Sequence, residues 1–80
     1  MSTKRLKPMT MKQALALAEV RQLVESGEAE HRRLRGRLSR ADVARVVGVT
    51  TVAVWRWERG QRLPTGAAAL AYAKLLHELA

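Results

Sequence analysis

The chain has 80 residues, enough for one domain, and 48% of them are hydrophobic, which supplies a core and excludes global disorder, although a chain this short buries only roughly 60–65% of the surface its unfolded form exposes. With no cysteine it has no disulfide framework, no thiolate nucleophile and no cysteine zinc site, and its two histidines, His31 and His77, read as ordinary surface residues too far apart for a metal centre, so no cofactor is expected. Fifteen Lys and Arg against seven Asp and Glu leave a net charge of +8; with neither a membrane-length apolar run nor a signal-peptide core, the expectation is a small intracellular domain with a polyanionic partner.

In chain order, residues 1–9 lack periodicity and carry Lys4, Arg5 and Lys7, and read as a mobile basic arm ahead of a single domain over 10–80. Thr10 and Gln13 form a capping box that opens a first helix. Ala14, Leu15, Ala18, Leu23 and Val24 are its apolar residues, with Leu17, Val20 and Val24 on one stripe, and Ser26-Gly27 breaks it. A short second helix follows from about Glu28 to Arg35, with Leu34 as its best core residue and Gly36 as its stop. Ser39 and Asp42 make a second box-like cap, so a third helix runs from Arg40 to about Val47. Val43, Ala44, Val46 and Val47 supply its apolar side, and Gly48 is placed to end it in the left-handed conformation. Thr50 caps a fourth helix that reaches about Arg59 and closes at Gly60. Leu63-Pro64 forces an extended step, after which Thr65 caps a last helix to Leu79. Alternation is absent and no strand is predicted. The fold class is all-α, a five-helix compact bundle.

The charge is unevenly placed. Residues 1–26 carry +3, residues 27–64 carry +5, and residues 65–80 are neutral. All nine basic residues of the middle segment are arginines, whose guanidinium fork fits phosphate oxygens and guanine edges where lysine offers a point charge. The solvated-face explanation of such a cluster competes with nucleic-acid binding, which the charge favours.

The stretch from Arg40 to Glu58 carries the most information. Two helices joined by a turn of three or four residues must cross closely to form a helix-turn-helix. That crossing needs a small residue at the contact, met by Ala44, and a turn residue free to take positive φ, met by Gly48. It also needs inward apolar residues on the second helix, met by Val54 and Trp57. The helix-turn-helix core is thus placed over 39–60.

On Leu38-Ser39-Arg40, Ala44, Gly48-Val49-Thr50, Val54, Trp57-Glu58-Arg59-Gly60 and Pro64, the chain resembles the Cro/C1-type (XRE) helix-turn-helix repressors over about residues 28–65. The resemblance implies a lambda-repressor-like DNA-binding domain, a small phage- or prophage-like regulator, and a pairing of Arg33 with Glu58. Three residues depart from the family pattern. Arg40 stands where Gln is usual and is expected to keep that residue's phosphate contact more electrostatically. The glycine before Leu38-Ser39 is Gly36 where the family has it at position 37, so the first turn is expected to be shaped differently. Trp55 replaces the usual polar residue, which removes the usual hydrogen-bond readout there.

At about 100° per residue, Val54, Trp57 and Glu58 share one side of the fourth helix, while Val52, Trp55, Arg56 and Arg59 occupy the other, with Thr51 flanking. The N-terminal part of such a helix enters the major groove, so Thr51, Val52, Trp55 and Arg56 are the expected base contacts, with packing on the last helix or on a partner chain as the alternative for Trp55. Arg56 can grip guanine O6 and N7, and Val52 and Trp55 suit a thymine methyl group. Trp57 is a core residue, because two residues apart on a helix means about 200° of rotation from Trp55. Arg37, Ser39, Arg40, Thr50, Arg59 and Arg62 are the expected phosphate contacts, Ser39 and Thr50 also serving as plain caps. Lys4, Arg5 and Lys7 are candidates for the minor groove, against a merely disordered terminus.

The last helix is apolar nearly all round, more than core cover requires, so Leu70, Tyr72, Leu75, Leu76 and Leu79 are the expected homodimer interface, a role the Leu17, Val20 and Val24 stripe of the first helix either shares or leaves to it while wrapping the domain. The functional reading is a sequence-specific regulator that binds double-stranded operator DNA, most simply a repressor, in the cytoplasm of a bacterial or phage-infected cell. The chain is short for a separate effector domain, and no small-molecule effector is expected. The alternative is an antitoxin or other module that binds a partner protein and its own operator. An enzyme is not expected, for want of a nucleophile–base pair, a metal cluster or a phosphate loop. A membrane-surface role for residues 4–24 is opposed by Glu19 and by the motif downstream.

Overall fold

The boundaries of the helices follow their caps. In the computed structural model, which describes residues 6–80, five helices run over Met11–Glu25 (α1), Glu28–Arg35 (α2), Arg40–Val47 (α3), Thr51–Glu58 (α4) and Gly66–Glu78 (α5), and no strand occurs among the described residues. The fold is the all-α, five-helix one expected. Both capping boxes are formed. Gln13 N–H donates to the Thr10 hydroxyl at 3.0 Å while Thr10 N–H donates to Gln13 Oε1 at 3.1 Å. Ser39 and Asp42 repeat the exchange at 2.8 and 3.0 Å. Ala53 N–H donates to the Thr50 hydroxyl at 3.1 Å, fixing the start of α4. Thr65 takes the extended N-cap backbone ahead of α5, but its side chain makes no capping hydrogen bond.

The core lies where α5 meets α1, α2 and α3, and where α3 crosses α4. Tyr72, Leu76, Val20, Val43 and Val54 are its largest fully buried side chains, with Trp57 beside them. Burying each such side chain contributes about 1.5–3 kcal/mol. The Trp57 and Tyr72 rings meet at 4.9 Å in a tilted pair. Ala44, Ala69 and Ala73 are buried too, small residues that let the backbones approach.

Four details differ from the expected pattern. In α1 the buried row is Ala16, Val20 and Val24, and Leu15 is 65% exposed. In α2 Leu34 is exposed while Ala29 and Arg33 are buried. In α3 Val46 is exposed, leaving Val43 and Ala44 as the inward pair. In α5 Tyr72 and Leu76 are each 1% exposed, so they are spent on the chain's own core and present no face to a partner. Leu70, Leu75 and Leu79 are half-buried. The physical reason is shared: each helix is rotated by contacts distant in sequence, which the local apolar pattern does not encode. No described helix is long and apolar enough to cross a membrane.

The turn into α3 shows what the displaced glycine does. Gly36 keeps ordinary right-handed geometry, and Arg37 takes the left-handed one at φ 59°. Arg37 N–H donates to the Leu34 carbonyl and Leu38 N–H to the Arg33 carbonyl, closing the end of α2. A Cβ on Gly36 would stand 2.7 Å from Leu79 Cδ2, so a larger residue here requires the Leu79 side chain to shift. Gly48, by contrast, takes φ 84° as expected, with its N–H on the Ala44 carbonyl at 2.8 Å. The left-handed region costs a residue with a Cβ roughly 1–2 kcal/mol, partly offset for glycine by its looser unfolded chain. Arg37→Gly is therefore expected to stabilise the fold by up to about 1 kcal/mol, read as a raised urea midpoint at unchanged slope.

Candidate nucleic-acid interface

Helical spacing decides which residues of α4 share a side. Val54 and Trp57 are 0% and 4% exposed, and the carboxylate of Glu58, one residue on, also points inward with its side chain 1% exposed. The residues between them face out: Val52 is 55% and Trp55 37% exposed, and Thr51 and Arg56 are exposed as well. All four expected base-reading residues thus stand outside the core on one helix. The Arg59 guanidinium lies over the Trp55 ring at 4.6 Å to the centroid, an i,i+4 cation–π contact that braces the indole.

Two open depressions organise the surrounding side chains. One brings Ser39, Arg40 and Ala41 at the start of α3 together with Thr51, Val52 and Trp55 of α4. The other, on the far side of Val52, joins Thr50 and Arg56 to Arg62 and Pro64. Of the expected phosphate contacts, Ser39, Arg40, Thr50 and Arg62 therefore border the expected readers, and Arg59 stacks on one of them. Arg37 is exposed in the α2–α3 turn. The Ser39 and Thr50 hydroxyls are engaged as caps. Lys7 borders a hollow with Pro8, Gln13, Thr65 and Gly66, at the start of α1 and α5 and in neither depression on α4. Lys4 and Arg5 lie outside the described residues.

Beneath this surface is a charged cluster. Arg33, only 6% exposed, grips Glu58 with two nitrogens, Nε on Oε2 at 2.5 Å and Nη2 on Oε1 at 3.2 Å, and its Nη1 donates to the Leu38 carbonyl at 3.0 Å. The pairing implied by the resemblance is present. Arg40 Nε also donates to Glu58 Oε1, at 2.9 Å, a contact the sequence reading did not anticipate. No spacing rule links positions 40 and 58. The Trp55–Arg59 contact was also not anticipated, although its i,i+4 spacing on one helix face was a usable signal.

Asp42 is held below the ordinary carboxylate range, chiefly by the Ser39 amide, then by the Ser39 hydroxyl, with Arg45 a smaller influence. Burial, and then the Glu58 charge, push the Tyr72 phenol up, and its buried hydroxyl has no hydrogen-bond partner among the described residues. The histidines sit at the surface in ion-pair geometry, His77 with Glu19 at 2.6 Å across α5 and α1, and His31 with Glu28 at 3.4 Å.

A family model described as a helix-turn-helix domain matches residues 18–78, from within α1 to the end of α5. The chain belongs to that helix-turn-helix domain family. The family is of the XRE-like type, in agreement with the resemblance carried by residues 28–65. No curated protein and no solved structure matches the chain. The helix-turn-helix is a DNA-binding domain. In this chain α3 and α4 are joined through Gly48, Val49 and Thr50.

The lowered Asp42 value sets a pH dependence. A carboxyl whose folded pKa lies below its unfolded one stabilises the fold fully above the ordinary value of about 3.9, and that stabilisation is lost as pH falls through the lower, folded value. Asp42→Asn is expected to lower the urea midpoint at pH 7 and to flatten the fall in stability on the acid side below about pH 4.

Proposed function

We propose that the protein is a sequence-specific, double-stranded-DNA-binding transcriptional regulator, a Cro-like repressor that occludes its operator as a homodimer in the cytoplasm. The observation that carries the reading is the two-sided α4, with Val54, Trp57 and Glu58 inside and Val52, Trp55 and Arg56 outside, set beside the arginines of both depressions. In this reading α4 lies in the major groove. Thr51, Val52, Trp55 and Arg56 meet base edges, Arg56 by a fork on guanine and Val52 and Trp55 by apolar contact with thymine methyl groups. Arg37, Ser39, Arg40, Thr50, Arg59 and Arg62 meet the backbone on either side.

For the homodimer, the expected residues that remain available are Leu70 and Leu75 of α5 and Leu79 just after it, each only half-buried. Leu70 lines a groove between α1 and α5 with the exposed Leu15, and Met11 is exposed one turn before. The same groove supports the second reading, a module that binds a partner protein as well as its operator. Copurification of a stoichiometric partner would favour that reading, and tight operator binding by the pure chain the first.

Selection of bound duplexes from a random pool with the purified chain is expected to return a two-fold symmetric consensus; no enrichment at moderate salt would overturn the proposal. On the selected duplex, Arg56→Ala is expected to relax the preference at one base pair by about 1–3 kcal/mol. Arg40→Ala is expected to weaken all sequences alike and to lower the salt dependence. Equal losses from both, with no change in preference, would contradict the assignment.

A further inference from the structure

Arg33 and Arg40 share one carboxylate but are held differently. Arg33 has all three guanidinium nitrogens engaged, two on Glu58 and one on the Leu38 carbonyl, and is buried. Arg40 is engaged only through Nε, on Glu58 Oε1 at 2.9 Å, and its side chain is 36% exposed. Among the described residues neither of its terminal nitrogens has a hydrogen-bond partner. One buried carboxylate thus faces two guanidinium groups. The cluster keeps one uncompensated positive charge, and the arginine at the surface is the one able to present it.

We propose that Glu58 is a positioning residue that holds Arg40 by its Nε edge and so presents the Nη1–Nη2 edge as a ready-made fork for a single DNA phosphate. Arg40 lines the depression it shares with Ser39, Ala41, Thr51 and Val52. This rests on the reading of α4 as the groove helix and adds to it the way one backbone contact is built.

The physical basis is the planar guanidinium, which has two separate hydrogen-bonding edges and can serve a carboxylate and a phosphate at once. An arginine already tethered at one edge has less rotamer freedom left to lose on meeting the phosphate. Because Arg33 already neutralises Glu58, the tether does not cancel the charge that the phosphate meets. A lysine at position 40 keeps the charge but has one compact ammonium with no second edge. Drawn to Glu58, it leaves the phosphate; drawn to the phosphate, it leaves Glu58. Glutamine has the reach of an amide without the charge.

The test compares the wild-type chain with Arg40→Lys and Arg40→Gln on one selected duplex, titrated between 50 and 200 mM salt. Both variants are expected to bind about tenfold more weakly than wild type. Arg40→Gln is also expected to show a log–log salt slope shallower by about 0.9. Lysine binding within about twofold of wild type would overturn the proposal, because a point charge would then suffice. Three equal affinities with equal slopes would also overturn it. Nuclear magnetic resonance gives a readout independent of affinity. The Arg40 Nε–H is expected to be protected from exchange in the free protein and to stay so in the complex, while the Nη resonances shift on binding. An Arg40 Nε–H that exchanges as fast as that of the exposed Arg45 would contradict the tether. Failure of the wild-type chain to bind any duplex would overturn the reading of α4 itself, and is distinguishable from all these outcomes.

Discussion

The carboxylate of Glu58 is the point on which the arrangement of the helices depends. It is the last residue of α4, its side chain is 1% exposed, and it receives Arg33 from α2 and Arg40 from the first turn of α3. Arg33 also holds the Leu38 carbonyl in the turn between those two helices. Three helices and one turn therefore meet at a single charged group. A buried ion pair is weak evidence for net stability, because desolvation offsets much of the attraction. Removing Glu58 nevertheless leaves the buried Arg33 guanidinium unmatched, at a cost of about 3–5 kcal/mol. The cluster is better understood as a device of register. With Glu58 turned inward, helical spacing requires Val54 and Trp57 to be inside as well, and Val52, Trp55 and Arg56 must then be outside. The interface follows from the rotation of α4, and the buried carboxylate sets that rotation.

Some of this was legible in the sequence because it is local. Thr10 with Gln13, Ser39 with Asp42, and Thr50 ahead of α4 place the helix starts through bonds three residues long, and each is made as the spacing predicts. Gly48 takes the left-handed backbone that its place between two helices requires. The alternation of Trp55 out and Trp57 in follows from one angle per residue. What was not legible depends on partners far along the chain. Leu34 is the most apolar residue of α2, yet it is exposed, because the helix turns Arg33 inward to meet Glu58, 25 residues away. Gly36 ends α2 as expected, but it does so in right-handed geometry beside Leu79 from the other end of the chain, while Arg37 carries the left-handed turn. The link from Arg40 to Glu58 has no signature in spacing at all.

The last helix shows the same limit on a larger scale. Its apolar circumference points to self-association only if one neighbouring element covers it. In the structure α5 packs against α1, α2 and α3, which takes Tyr72 and Leu76 completely into the core and leaves Leu70, Leu75 and Leu79 half-covered. An all-round apolar helix in a small domain is thus also what a central helix looks like. The groove between α1 and α5, with Leu15 exposed on it, lies on helices other than α4. Partner contact and DNA reading would then use separate elements, and one need not block the other.

The two tryptophans provide the most direct test of the central claim, that α4 reads DNA with its outward side while its inward side stays fixed in the core. Each contributes one indole N–H resonance, Trp55 from the exposed side and Trp57 from the buried ring pair with Tyr72. On titration with a selected duplex, the Trp55 indole signal is expected to shift strongly, and that of Trp57 to stay close to its free position. A shift confined to Trp57, or changes concentrated in α1 and α5 with Trp55 unmoved, would contradict the account.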